Sequence, residues 1–403
     1  LLGAYLAATR GATTRTDPLS TLAAQCLLGA ALLRTLRARG AFATRTEPRL
    51  IDLLDLVALG TVADVAAIRG LNRAFVAQGL KVMAARGNIG MAALIEAARL
   101  TRAPTCSDLG FALGPRINAG GRVGASDLGV RLLTTDDPAE ARDIAAELDR
   151  LNEERRGIEA VVQEQAADML ARQGNRAVVV AAGAGWHPGV IGIVAGRLKE
   201  ASGRPAIVIA LGEDGMGKGS GRSIGGVDLG AAVIAAKDAG LLVAGGGHAM
   251  AAGLTVAADR IEALGEFLEE RLAGAVARAG EGRSIAVDAM LAPRGLNPAF
   301  CDAAEEAGPF GMGWPAPTVA VGPVRTVRAD VVGSGGHVRL IVAGRDGGSF
   351  KAMAFRAAET PLGQTLLAAG GRPLWLVGRA KRDDWGSRPA AELHILDAAW
   401  ADG

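Results

Sequence analysis

The chain has 403 residues, a net charge of +2 and a half-hydrophobic composition that includes 57 glycines. That length allows two or three domains with separate cores, while the near-neutral charge excludes a global nucleic-acid signature and leaves any such role to local patches. Cys26, Cys106 and Cys301 are odd in number and far apart, which excludes a disulfide framework and a thiolate zinc site and fits a reducing cytoplasm.

The chain opens LLGAYLAA, with neither Met nor a basic-plus-apolar signal, and reads as a fragment whose true start is missing. Residues 1–135 read as helices broken by glycine loops, the tail of an α/β domain. Within them ALGTVADV (Ala58–Val65) ends an apolar helix with Asp64 among small residues. A carboxylate there is a loop cap or a hard-metal ligand. GPRINAGGRVG (Gly114–Gly124) sets Arg116 and Arg122 among glycines. Glycine lets backbone approach a ligand and arginine forks onto phosphate oxygens, so the stretch reads as an anion-facing loop.

From Asp136 to Asp168 there are eleven acidic and four basic residues. Asp137-Pro138-Ala139-Glu140 supplies an N-cap, a first-turn proline and an acid. Ile144, Leu148, Leu151, Ile158, Val162 and Met169 then recur at helical spacing. The pattern predicts a rigid connecting helix over 136–173 with a solvated acidic face, ended by Gly174.

An alternating pattern follows. Strands are predicted at Ala177–Ala182, Pro205–Leu211 and Leu254–Val256, and helices at Val190–Glu200, Val227–Ala239 and Asp259–Leu272, the last with Asp259 and Glu262 as a capping pair. This is a compact α/β domain over 174–280. The uncharged runs Val178–Gly196 and Leu241–Ala258 approach spanning length, but glycines and a histidine break both, so no membrane role is expected.

Three stretches here could bind an anion. GAGWHPGVIG (Gly183–Gly192) puts His187 in a strand-to-helix loop, where it caps the helix or meets an anion. KGSGRS offers Lys218, Ser220, Arg222 and Ser223 on a backbone kept slim by glycine, a cradle in composition although such turns are common. GGGHAMAAGL brings Gly246 and Gly247 before His248, either a ligand contact or a satisfied core histidine.

Over 285–403 five short strands are predicted at Thr318–Val332, His337–Ala343, Ser349–Phe355, Leu374–Ala380 and Glu392–Leu396, with a helix at Leu362–Ala369 before the fourth. This suggests an OB-like barrel. Between Pro323 and Arg388 there are eleven Lys/Arg against five Asp/Glu, and eight of the fourteen aromatic residues lie at or beyond Phe300. Cations and rings together suit a single-strand platform, although the rings taken one by one read better as barrel core.

In their order, ALGTVADV, GPRINAGGR, GWHPGVIGIVAGRLKE, GKGSGRSIGG, GGGHAMAAGL and GPFGMGWPAP closely resemble the RecJ exonucleases of the DHH phosphoesterase family, over essentially the whole chain. The resemblance implies an α/β multidomain fold: the C-terminal part of a DHH α/β domain (1–135), a connecting helix (136–173), a DHH-associated α/β domain (174–280) and a C-terminal OB-fold β-barrel (285–403). It implies a metal-dependent 5′→3′ exonuclease on single-stranded DNA with a 5′ end, in DNA repair and recombination, monomeric and cytoplasmic, with a helicase and a single-strand-binding protein as partners.

Carried over, Asp64 matches a catalytic metal-ligand aspartate of a two-ion Mn²⁺ or Mg²⁺ site, and Arg122, with Arg116 near it, an arginine-bearing loop facing the cleft. His187 joins the substrate contacts. Ser220 and Arg222 match a terminal-phosphate pocket, to which the cradle adds Lys218 and Ser223, and His248 matches a glycine-flanked contact to the nucleic-acid backbone, with Gly246 and Gly247 before it. The early aspartate pair and the Asp-His-His triplet are not in the sequence, so the resemblance places most metal ligands before Leu1 and this chain is expected not to cleave DNA. Trp314 stands where relatives commonly carry a polar residue. The alternatives are a DHH phosphodiesterase acting on short oligonucleotides or cyclic dinucleotides, whose members generally lack the barrel, and a non-catalytic nucleic-acid scaffold.

Overall fold

The structure is a computed structural model that describes residues 18–41, 49–280, 284–333, 335–383 and 389–401. The opening LLGAYLAA, Trp385 and Arg388 lie outside the described residues. Residues up to Asp52 form one unit, represented by helix α1 (Pro18–Ala38). Residues from Leu53 onward form the other. Among the described residues no helix is long and apolar enough to cross a membrane.

The second unit begins with helices only: α2 (Leu54–Ala63), α3 (Gly70–Ala84), α4 (Ile89–Ala97), a π-helical turn Leu109–Leu113, α5 (Gly114–Val123) and α6 (Leu128–Thr134). They share one core with the first half of α7 (Pro138–Arg172), built on Ala58, Met83, Leu94, Leu113, Leu132 and Leu148. The expected loop at 114–124 is thus a helix. Two of its glycines serve packing: a Cβ on Gly114 would stand 2.8 Å from the Leu109 carbonyl oxygen, and one on Gly120 2.9 Å from that of Ala125.

Helix α7 is about 52 Å long at 1.5 Å per residue. The Asp137 carboxylate accepts from the Ala139 N–H at 2.8 Å and Pro138 occupies the first turn, as the sequence predicts. Its second half, through Val162 and Ala166, enters a different core beneath a five-stranded sheet.

That sheet comprises β1 (Val179–Ala184), β2 (Ala206–Leu211), β3 (Met216–Arg222), β4 (Ala244–His248) and β5 (Ala251–Ala257) in the order β1-β2-β3-β5-β4. Only β1 and β2 pair in parallel. Helix α8 (Ile191–Ser202) covers one face over β1 and β2, while α9 (Leu229–Asp238) and α10 (Ile261–Gly280) cover the other. Two expectations are corrected here. Lys218–Arg222 of KGSGRS lie in strand β3 rather than in a turn, and Asp259 sits in a 3₁₀ turn before α10 rather than in a capping pair.

The C-terminal region adds β6 (Ala289–Leu291), α11 (Pro298–Glu306), β7 (Val319–Val332), β8 (His337–Gly344), β9 (Ser349–Ala354), α12 (Pro361–Leu367), β10 (Leu374–Asp383) and β11 (Ala390–Trp400). The five predicted strands are all present. They run β7-β8-β9-β11-β10, and β10 returns to pair with β7, which closes a barrel with β9 and β11 parallel. Closure removes free edges, and alternate residues such as Val338, Leu340 and Val342 fill the interior. Strand β6 and helix α11 are additions to the predicted pattern.

The barrel region docks on the first helices through the loop 307–314. The Met312 carbonyl accepts from the Ile68 N–H at 2.7 Å, Arg73 donates to the Gly308 carbonyl at 2.8 Å, and its guanidinium lies 5.0 Å from the Trp314 ring centroid. Trp314 is therefore an internal docking residue, held also by its indole N–H to the Ala307 carbonyl at 2.9 Å.

Candidate functional site

Directly opposed residues of an antiparallel sheet share a face. Arg222 lies opposite Ala251 and so does His248; Ser220 pairs with Gly253 and Gly253 with Gly246; Lys218 pairs with Thr255 and Thr255 with Ala244. These form three rows across β3, β5 and β4. On the same face of β2, Ala206, Val208 and Ala210 are buried under α8. The cover reaches the edge of β3 and stops there: no atom lies within 4 Å of where a Cβ of Gly246 on β4 or Gly253 on β5 would stand. A shelf floored by glycine and alanine results, with Lys218, Ser220, Arg222 and Thr255 rising from it and His248 at its rim about 10 Å from the Arg222 strand.

The glycines of β3 answer to the opposite face. A Cβ on Gly217 would stand 2.6 Å from Ile209 Cγ2, on Gly219 2.6 Å from Leu254 Cδ1, and on Gly221 2.7 Å from Leu229 Cδ2. They let the core close under the strand, rather than a ligand approach it. Likewise Gly230, at the start of α9, would put a Cβ 2.8 Å from the Gly247 and His248 backbone, so the GGGH strand rests on a helix.

Arg222 is half-buried at the edge where the α8 cover ends. Its Nη1 donates to Ser220 Oγ at 3.1 Å and to the Gly221 carbonyl at 2.8 Å. A Cβ on Gly192 would stand 3.1 Å from both Arg222 Nη2 and Ser220 Oγ, so the first turn of α8 lies against this pair. Burial, and then the nearby Arg122 charge, pushes the Arg222 guanidinium below its usual value. Arg122 reaches over from α5 and donates to the Gly189 carbonyl at 2.9 Å. Among the described residues neither guanidinium has a carboxylate partner. A half-desolvated cation pair without an acid is a site that favours an anion.

Other expected residues fall elsewhere. Arg116 does not open into this site: it pairs with Asp149 of α7 at 2.8 Å, largely buried, and donates to the Ala112 carbonyl. Ser223 is buried, its hydroxyl donating to the Val227 carbonyl at 2.7 Å, so it closes a turn and does not face a ligand. His187 accepts the Gly189 N–H on Nδ1 at 3.0 Å within the loop before α8, whose N-cap Val190 has no side-chain hydrogen bond, and stands next to the Arg122 contact. Asp64 is exposed at the end of α2, before Val65 at φ 58°. Among the described residues no group of three or more His, Cys, Asp or Glu is disposed to hold a metal ion. One carboxylate cannot hold two divalent ions, so these residues by themselves do not fit a two-ion centre.

Several of the barrel's cations are already paired with acids. Lys351 lies 2.6 Å from Asp383 and 2.5 Å from Glu392, Arg382 2.6 Å from Asp302, Lys381 3.1 Å from Glu305, and Arg328 and Arg339 share Asp330. Arg345 and Arg379 are exposed and have no ion pair among the described residues. Phe350 is core, but Phe355 is exposed and stands edge-on between His337 and His394, at 5.3 and 4.8 Å between centroids.

Comparison with known proteins gives a consistent result. Residues 174–274 match the DHHA1 domain and residues 287–397 the RecJ OB domain. The chain is similar to the single-stranded-DNA-specific exonuclease RecJ of Dickeya dadantii, 40% identical over 79% of this chain and 57% of that protein. It is 38% identical to the Escherichia coli protein of the same name, over 78% of this chain and 56% of that one. Among solved structures, RecJ from Thermus thermophilus in complex with Mn²⁺ superposes with a TM-score of 0.73 at 30% identity, covering 88% of this chain and 51% of that one. The same protein is also solved with Mg²⁺. The chain thus spans a little over half the length of the curated relatives it matches.

Proposed function

The chain belongs to the RecJ family, and on that premise we propose that it serves single-strand-specific 5′→3′ exonucleolysis of DNA by holding the 5′-terminal phosphate. The phosphate lies on the β3 shelf, against Arg222, Ser220 and Arg122. The observation that carries the reading is the half-buried Arg222 beside Arg122, with neutral partners alone among the described residues. A terminal phosphate brings about −1.5 to −2 charge at pH 7, more than an internal diester, and so matches two guanidiniums better. Lys218 and the rim at Gly246, Gly247 and His248 then lie along the path of the following nucleotides. Residues 1–135, 136–173, 174–280 and 285–403 are the working divisions of this reading: DHH part, connector, phosphate-binding domain and single-strand barrel.

The finer metal reading, a pair of Mn²⁺ or Mg²⁺ ions with Asp64 as one ligand, requires carboxylate and imidazole ligands besides those described. Free Cys26, Cys106 and Cys301 suit the reducing cytoplasm that a DNA-acting enzyme of this kind occupies. A single-strand-binding protein and a helicase as partners belong to the same proposal.

Binding of matched 5′-phosphate and 5′-hydroxyl single strands tests the reading without requiring cleavage. Charge-assisted contacts contribute about 1.5–3 kcal/mol, so the phosphorylated strand should bind about 10- to 100-fold more tightly. Equal affinities would overturn the terminal-phosphate assignment.

The barrel's share is tested by salt. Each phosphate contact adds about 0.7 to the slope of log affinity against log salt for a single strand. Arg379→Ala should lower the slope by about that amount. Lys351→Ala should leave it unchanged, because that ammonium already serves Asp383 and Glu392. Equal effects of the two variants would show that the contact is not selective for the unpaired cation.

A further inference from the structure

The buried side of α7 changes character halfway along. Ile144, Leu148 and Leu151 lie toward the helical core, and Val162 and Ala166 toward the core beneath β1 and α8. Between them stand Asn152, Arg155 and Glu159, all buried. A buried carboxylate is tolerated when it is paired: Glu159 Oε2 accepts a hydrogen bond from one guanidinium, and Oε1 lies in ion-pair contact with a second without a hydrogen bond. One belongs to Arg155, one turn earlier on the same helix at 2.5 Å, and the other to Arg197 of α8. Arg155 also donates to Asn152 Oδ1 at 3.1 Å, and Arg197 to Gln163 Oε1. Buried ion pairs contribute little net stability, and Arg155 Nε and Glu159 Oε1 both go without a hydrogen bond, so the network suits a positional task better than a stabilising one.

What it positions follows from α8. The helix that Glu159 grips at Arg197 is the one whose Gly192, about one and a half turns earlier, lies against Arg222 and Ser220. The loop entering that helix carries Gly189, whose carbonyl holds Arg122 and whose Cα leaves no room against the Arg122 backbone.

We propose that Glu159 is a positioning residue: through Arg197 it holds α8 on the long helix, so that Gly189 and Gly192 keep Arg122 and Arg222 facing one phosphate. This rests on the terminal-phosphate reading. Like charges need such a frame. Arg155 feels Arg122, Arg156 and Arg197 as well as Glu159, and Arg222 feels Arg122, so the guanidiniums would spread apart if the elements carrying them were free.

The test uses the whole chain, with short single strands that differ only in a 5′-phosphate or 5′-hydroxyl, at temperatures well below each variant's melting point. Arg197→Gln removes the tie to α8 and leaves the buried Glu159–Arg155 pair intact. The preference for the phosphorylated strand should fall about five-fold, while hydroxyl-strand affinity stays at the wild-type value. Arg197→Lys should recover part of it, since an ammonium can meet Glu159 but cannot fork onto Gln163 as well. Glu159→Gln should shift the preference the same way, with a lower melting temperature. An unchanged preference in Arg197→Gln, or a loss shared equally by both strands, overturns the proposal. Arg222→Ala, measured alongside, separates the two layers. If it also leaves the preference intact, the phosphate reading itself has failed; if it abolishes the preference while Arg197→Gln does not, the positioning role alone falls.

Discussion

Gly189→Val is expected to weaken binding of a 5′-phosphorylated strand at least ten-fold and to destabilise the fold by about 2 kcal/mol, within the range for overpacking a tight site. A Cβ at Gly189 would stand 2.5 Å from the Arg122 carbonyl oxygen and 3.1 Å from its carbon, with His187 Nδ1 at 3.0 Å. Two of those atoms are main chain and cannot swing away. The 185–190 loop and α5 must therefore separate, and the Arg122 hydrogen bond to the Gly189 carbonyl goes with them. The cores on either side do not include Gly189, so the protein should remain folded. Gly196→Ala supplies the contrast from within α8. Nothing lies within 4 Å of its Cβ position, and replacing a mid-helix glycine by alanine should stabilise by about 0.5–1 kcal/mol with no change in binding. Thermal melts and equilibrium binding of both variants decide the matter. Wild-type behaviour of Gly189→Val would mean that the contact between α5 and the loop is loose.

The parts of this architecture that can be read from residues are those whose signals are local. Asp137 and Pro138 announce α7 because a cap and a first-turn proline act within one turn, and the barrel strands alternate because their inner residues face one core. Strand β3 carries such a signal too, glycine alternating with Lys218, Ser220 and Arg222, but glycine is a weak strand former and the segment reads as a turn. The same bias makes helix α5 read as a loop, although its Gly114 and Gly120 are there to admit neighbouring carbonyls. Partners distant in sequence are out of reach. That Asp149 neutralises Arg116, that Val227 takes the Ser223 hydroxyl and that Arg73 packs on Trp314 depends on elements meeting in space. Arg122 and Arg222 each stand out for their glycine-rich surroundings, yet their convergence, and the role of Gly189 and Gly192 in it, emerges only when α8 is seen between them.

Arg222→Lys is expected to remove most of the preference for a 5′-phosphate while leaving binding of a 5′-hydroxyl strand nearly unchanged. The substitution keeps one positive charge, so the long-range attraction of the shelf for a nucleic-acid backbone persists. What it loses is the planar fork. An arginine held on the Ser220 hydroxyl and the Gly221 carbonyl through one nitrogen still has its other donors to give, and it presents them in a fixed plane beside Gly192. A lysine ammonium is a point charge on a flexible stem and cannot keep the Ser220 contact while making two parallel bonds to phosphate oxygens. Losing one charge-assisted hydrogen bond costs about 1.5–2 kcal/mol, roughly a ten- to thirty-fold fall in the affinity ratio of the two strands. Arg222→Ala removes the charge as well, so it should abolish the preference and also flatten the salt dependence by about one phosphate contact. Barrel-borne affinity for internal nucleotides should be the same in all three proteins, because Arg345, in the turn after β8, and Arg379, on β10, are untouched. Titration of both strands at several salt concentrations gives the ratio and the slope together. If Arg222→Lys kept the wild-type ratio, the guanidinium would be a structural tie between β3 and α8, and the 5′ end would have to be recognised by other groups.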